Sequence, residues 1–176
     1  MKKIVLAILV MAWFVTGCST FPKDDITVES EANPKVNFSG YKTYAWLAAI
    51  GIVEDADGVW EPPKFDADGE IQFRVNEALR NKGMTEVSDN PDIFVAYALG
   101  VDMDALELKA DPKTQLKSLE NVPQTGLVVM LVDAESGFVT WVSVATGEMK
   151  NLEPEVQKKR LEYVVNTMFK DLPKSN

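Results

Sequence analysis

"GLVVMLVDAESGFVTWVSVATGE", residues 126–148, consists of two apolar runs on either side of Ala134-Glu135-Ser136-Gly137. Two such runs joined by a short polar break ending in Gly predict a β-hairpin. Upstream, "IFVAYALGVDM" (93–103) predicts another strand, with Ile93, Val95, Tyr97, Leu99, Val101 and Met103 on one face. The other face carries Phe94, Ala96, Ala98, Gly100 and Asp102, and its small residues suggest that a helix packs closely there. Asp89-Asn90-Pro91-Asp92 is a turn, because Pro fixes one dihedral while Asn and Asp satisfy local backbone groups.

Two helices flank these strands. The first starts at an Asp66 or Asp68 cap, repeats Ile71, Val75, Ala78 and Leu79 at helical spacing, and stops at Gly83. The second runs from about Glu153 to Leu172, with Pro154 suited to its first turn. Val156, Leu161, Val164, Val165, Met168, Phe169 and Leu172 form its apolar stripe. The domain needs that stripe for its own core, which favours packing on the sheet over lying on a membrane. Near the front, "ITVES" and "VNFSGYKTYAWL" read as strands. Residues 50–69, rich in Asp, Gly and Pro, read as a long loop, and residues 104–124 as a polar connection. The expected order is β-β-α-β-β-β-β-α, an α+β fold with a mostly antiparallel sheet and two helices packed on one face.

The N-terminus has a different character. Met1, Lys2 and Lys3 precede an apolar run from Ile4 to Val15, the anatomy of a signal peptide. A membrane-spanning helix needs roughly 20 apolar residues, so this run is too short to stay as an anchor. Val15-Thr16-Gly17-Cys18 resembles the lipobox of bacterial lipoproteins, in which the chain is cut before a Cys whose thiol carries diacylglycerol. Cys18 is the only cysteine and has no disulfide partner within the chain. The expected organisation is a lipoprotein signal peptide over 1–17, cleaved between Gly17 and Cys18, a lipidated tether over 18–25, and one domain over 26–176. The chain from Cys18 onward has 159 of the 176 residues, enough to bury a core without disulfides or metal.

Without Lys2 and Lys3 the 18 basic residues become 16 against 27 acidic ones, and the net charge moves from −9 to −11. A body this acidic gains nothing electrostatically from nucleic acid or an anionic membrane surface, so attachment rests on the acyl chains. Ser19, a neutral residue directly after the cysteine, points to the outer rather than the inner membrane of a Gram-negative envelope.

Chemistry is sparse. The chain has no histidine, which removes the commonest general base and metal ligand and the familiar serine and cysteine triads. Carboxylate pairs occur at Asp55/Asp57, Asp66/Asp68 and Asp102/Asp104, but acidic residues two apart are also ordinary in solvated turns. A calcium loop counted from Asp66 or Asp55 places Ile71 or Trp60 where the obligatory Gly belongs. No cofactor is expected. Trp60 and Phe65 lie in the long loop beside Val59, Pro62 and Pro63. Such a cluster either anchors a partner or, the reading favoured here, folds back over the domain's own core.

"NFSGYKTYAW" (37–46), "SDNPDIFVAY" (88–97), the 126–148 hairpin and the closing amphipathic helix together resemble a bacterial lipoprotein family known as domain of unknown function 4136. The sequence departs from the family pattern at Val142-Ser143, where Arg-Gly is frequent, and at Asp171-Leu172-Pro173-Lys174, where many members close on Phe-Pro-Pro. The resemblance implies an α+β envelope lipoprotein and no particular activity. The function expected is a periplasm-facing binding or structural accessory at the outer membrane, held by its N-terminal acyl chains and meeting an envelope protein, peptidoglycan or lipid. The competing class is a small envelope hydrolase working through carboxylates, for example on a glycan.

Overall fold

A computed structural model describes residues 21–103, 105–110 and 117–174, with the side chains of 106–110 and 117–120 left aside. Cys18, residues 1–17 read as a signal peptide, and Asp104 lie outside the described residues.

The 126–148 stretch is the expected hairpin. Strands β7 (Gln124–Asp133) and β8 (Val139–Glu148) pair antiparallel. Asp133 builds the turn: its Oδ1 accepts from the Ser136 amide (2.7 Å) and hydroxyl (2.6 Å). Gly137 adopts φ +72°, a left-handed conformation that is strained for any residue with a Cβ.

The main sheet has six strands in the order β1-β8-β7-β4-β2-β3, with β1 at Thr27–Ala32, β2 at Thr43–Glu54, β3 at Thr85–Glu86 and β4 at Ile93–Asp102. It is mixed: β2 runs parallel to both β3 and β4, and the other pairings are antiparallel. The parallel pairing follows from the α-helical crossover, α1 (Ala67–Asn81), between β2 and β4. Two further strands, β5 (Leu106–Ala110) and β6 (Lys117–Asn121), form a separate hairpin inside the segment read as a polar connection. Strand β2 continues to Glu54, so the loop read from residue 50 is shorter than its sequence suggests.

Both helices start and stop for local reasons. Asp66 caps α1 by accepting from the Gly69 amide at 2.9 Å, and Gly83, at φ +92°, ends the turn that follows it. Helix α2 (Pro154–Met168) begins on Pro154, and the chain after it turns so that Phe169 and Leu172 are also buried.

The core corrects one expectation. Ile71, Val75 and Leu79 of α1 and Val165 and Met168 of α2 cluster with Ile93, Val95, Tyr97, Val129, Leu131 and Trp141. The helices therefore cover the face carrying the large β4 residues, not the face of Phe94, Ala96 and Ala98. Bulky side chains on the sheet supply more apolar area to bury than alanines do, and that outweighs close backbone approach. The second face remains open among the described residues, with Ile50 (54% exposed), Ile52 (52%) and Val144 (40%) on it. Beyond Tyr44 the outer edge of β2 also has no neighbouring strand among the described residues.

Candidate functional site

The residues that carry the family resemblance serve the fold, at one end of the sheet. Asp92 Oδ2 accepts from the amides of Lys42 (2.7 Å) and Thr43 (2.8 Å) and from the Thr43 hydroxyl (2.9 Å), locking β4 to β2. The Lys42 amide is the main reason that its carboxyl titrates below the usual range. Tyr41 donates to Asp133 Oδ2 at 2.8 Å, and burial together with that carboxylate pushes the phenol up to about 12. Tyr44 Oη and Trp46 Nε1 both donate to Asn76 Oδ1, at 3.0 and 3.1 Å, joining β2 to α1.

The opposite end of the sheet is hollow. Leu99, Leu127 and Ala145 floor a cleft of about 610 Å³, walled by Ile71 of α1 and by Leu161 and Val164 of α2. Trp60, Pro62 and Phe65, half-buried or exposed, roof it as a strap. Asp55 shapes the strap's start, accepting from the amides of Val59 (3.0 Å) and Trp60 (2.7 Å). The Lys158 ammonium stands 5.9 Å from the Phe65 ring centroid. Trp60 and Phe65 thus come together over one cavity, covering this end of the core while leaving space beneath. That volume, and a lining mainly apolar with a few polar side chains such as Gln157 and Arg160, are typical of ligand sites, which span about 300–1,000 Å³.

The cleft opens beside the N-terminal segment. Ile26 lines it, and the neighbouring Asp25 is clamped by Arg160, Lys150 and Glu148, which also line it. Arg160 Nη2 donates to Asp25 Oδ2 (2.6 Å), Lys150 Nζ to Oδ1 (2.7 Å), and the Glu148 amide to Oδ2 (3.1 Å). The Asp25 side chain is only 8% exposed, and the hydrogen bond from Arg160 above all holds its carboxyl well below the usual carboxylate range despite the opposing effect of burial. Gly147 lies under the clamp, where a Cβ would stand 3.4 Å from Asp25 Oδ2 and 3.5 Å from Ile26. Residues 21–25, read as the far half of the tether, lie against α2: Phe21 meets the Tyr163 ring edge-on at 5.9 Å, and Arg160 also donates to the Pro22 carbonyl.

This clamp escaped sequence reading because Asp25 and Arg160 are 135 residues apart and neither sits in a motif. Replacing Asp25 by Asn should cost about 2 kcal/mol at neutral pH, the value of charge-assisted hydrogen bonds. A depressed folded-state pKa stabilises above the unfolded carboxyl's titration and is lost as pH falls through it. The gap between wild type and Asp25→Asn in urea midpoint should therefore stay constant from pH 7 to about 5 and shrink below about pH 4. A gap independent of pH would contradict the clamp.

Three of the paired carboxylates, Asp55, Asp66 and Asp68, take structural roles. Asp66 caps α1, Asp68 accepts from Tyr97 Oη at 2.6 Å, and Asp55 holds the strap. Burial and the Asp68 hydrogen bond push the Tyr97 phenol far up. Among the described residues no group of three or more acidic or thiol side chains is placed to hold a metal ion, and no helix is long and apolar enough to cross a membrane.

Fold and cleft define a class, a small α+β domain with one covered sheet face and an apolar cavity at the foot of its N-terminal segment. The family model described as Domain of unknown function (DUF4136) matches residues 28–174, and the chain belongs to that family. A DUF4136 family protein from Bacteroides thetaiotaomicron has a similar structure, at 15% identity and a TM-score of 0.56, covering 84% of this chain and 95% of that one. PelC from Paraburkholderia phytofirmans, solved as a dodecamer, is similar at 16% identity and a TM-score of 0.49, covering 85% and 99%. A minor lipoprotein from Acinetobacter baumannii is similar at 13% identity and a TM-score of 0.36, covering 77% and 98%. Among curated proteins, none matches the sequence.

Proposed function

We propose that this protein is a lipid-anchored binding accessory of the outer membrane that faces the periplasm and takes up apolar chemistry in the cleft beneath Trp60 and Phe65. The observation that carries this reading is the joint placement of cleft and anchor: the cavity opens where Asp25 pins the segment leading back to Cys18. The leader before Cys18 supports export and the Gly17-Cys18 junction supports cleavage and acylation. A lining in which apolar side chains outnumber polar ones favours a lipid or the apolar surface of an envelope protein over the glycan strands of peptidoglycan. The sheet face and the edge of β2 beyond Tyr44 that are uncovered among the described residues give the same domain further room for a protein partner.

Separation of inner and outer membranes by density tests the placement. The protein should travel with the outer membrane, resist added protease in intact cells and become cleavable once the outer membrane is permeabilised. Recovery with the inner membrane, or digestion in intact cells, would contradict it.

A further inference from the structure

We infer that the cleft is the resting place of the protein's own acyl chain, holding one fatty acyl group of the modified Cys18 whenever the N-terminus is not inserted in a bilayer. This deepens the proposed function and rests on its claim that Cys18 is acylated. Three observations lead to it. The cleft is predominantly apolar, with Leu99, Leu127, Val164 and Trp60 lining a volume of ligand size, although Glu61, Lys64, Gln157 and Arg160 line it too. The N-terminal segment does not leave the domain freely. Asp25 is fixed by Arg160 and Lys150, which line the cleft, and Phe21 is seated on Tyr163 of the same helix that forms one wall. Finally, only three residue steps separate Phe21 from Cys18, a reach of at most about 10 Å, so an acyl group on that thiol starts close to the part of α2 that lines the cleft.

The physical consequence is competition. A group tethered this closely meets the cleft at an effective concentration in the millimolar range, so it excludes free ligands that bind at micromolar concentration. In water the acyl chain is sheltered instead of driving aggregation. At a membrane the bilayer offers a larger apolar volume, the chain leaves, and the cleft opens next to the anchor point.

The test compares two forms of the mature chain in detergent-free buffer. One is acylated protein purified from membranes, its N-terminus checked by intact mass; the other is Cys18→Ala exported on a leader that leaves it unacylated. The probe is cis-parinaric acid, a fluorescent fatty acid. The unacylated form should bind one probe per chain, and the acylated form should bind at least about tenfold more weakly. In the unacylated form, Leu99→Trp fills the floor and should weaken probe binding about tenfold. Trp60→Ala opens the roof at a half-buried position outside the central core cluster, and should weaken it while leaving the circular dichroism unchanged. Equal affinity in both forms would assign the cleft to a foreign acyl ligand and overturn the inference. No binding by the unacylated form, or full binding by both variants, would overturn it by removing the cleft as an acyl site. An N-terminus found bare in the membrane-purified protein would overturn the lipid-anchor reading as well, which the competition arm alone leaves standing.

Discussion

Cys18→Ala should move the protein from almost wholly membrane-bound to no stable attachment through the processed N-terminus, with complete loss of labelling by radioactive palmitate. The size of this effect follows from how little else among the described residues would hold the protein at a bilayer. No described helix can span a bilayer, and the body from Cys18 onward carries −11, which an anionic surface repels. Each buried methylene contributes about 0.8 kcal/mol, so two or more acyl chains hold the protein firmly where one would give marginal, reversible binding. An intermediate partition in a wild-type preparation would point to a single acyl chain. Retention of both label and membrane attachment in Cys18→Ala would show that another residue carries the anchor.

Trp141→Ala should cost about 3–5 kcal/mol, the range for emptying a large aromatic site. Trp141 is 2% exposed on β8, stands between Ala32 of β1 and Leu131 of β7 in the sheet, and packs against Phe169 with ring centroids 4.8 Å apart. It is the point where the hairpin meets the end of α2, so no neighbour can fill the space without moving the sheet. At this chain size the loss should lower the midpoint of thermal unfolding by roughly 10–15 °C. Trp141→Phe, which keeps part of the ring stack, should lose less than half as much. A shift of only a few degrees for Trp141→Ala would mean that the cavity collapses and that β8 does not fix the position of α2.

Several parts of this molecule are legible along the chain because their causes are local. The hairpin turn rests on Asp133, Ser136 and Gly137, the start of α1 on Asp66, and its end on Gly83, all within a few residues of the structure they determine. The direction of β2 is not legible, since parallel pairing with β4 arises from the crossover through α1. The small residues of β4 mislead for a related reason. Ala96 and Ala98 permit close approach, but which face is covered depends on where the helices' own apolar stripes find the most area, and Ile93, Val95 and Tyr97 offer it.

The candidate site divides in the same way. Trp60 and Phe65 are visible as aromatics inside an acidic, proline-containing segment, and the structure assembles them as a roof. Its floor is not visible, because Leu99, Leu127 and Ala145 read as ordinary core residues, Leu127 and Ala145 are buried as such, and only the gap between the strap and α2 places a cavity against them. The clamp on Asp25 is equally hidden, requiring Lys150 and Arg160 to be brought to the first strand by the whole fold. The strongest signal in the sequence, the run ending at Cys18, bears on export and attachment, and the structure places the cleft beside Ile26, at the start of the described chain.

The most direct measurement is the intact mass of the protein extracted from cell membranes, with fragmentation of its first residues. The chain should begin at Cys18 and carry acyl groups there. A mass that retains residues 1–17, or an unmodified Cys18, would contradict this.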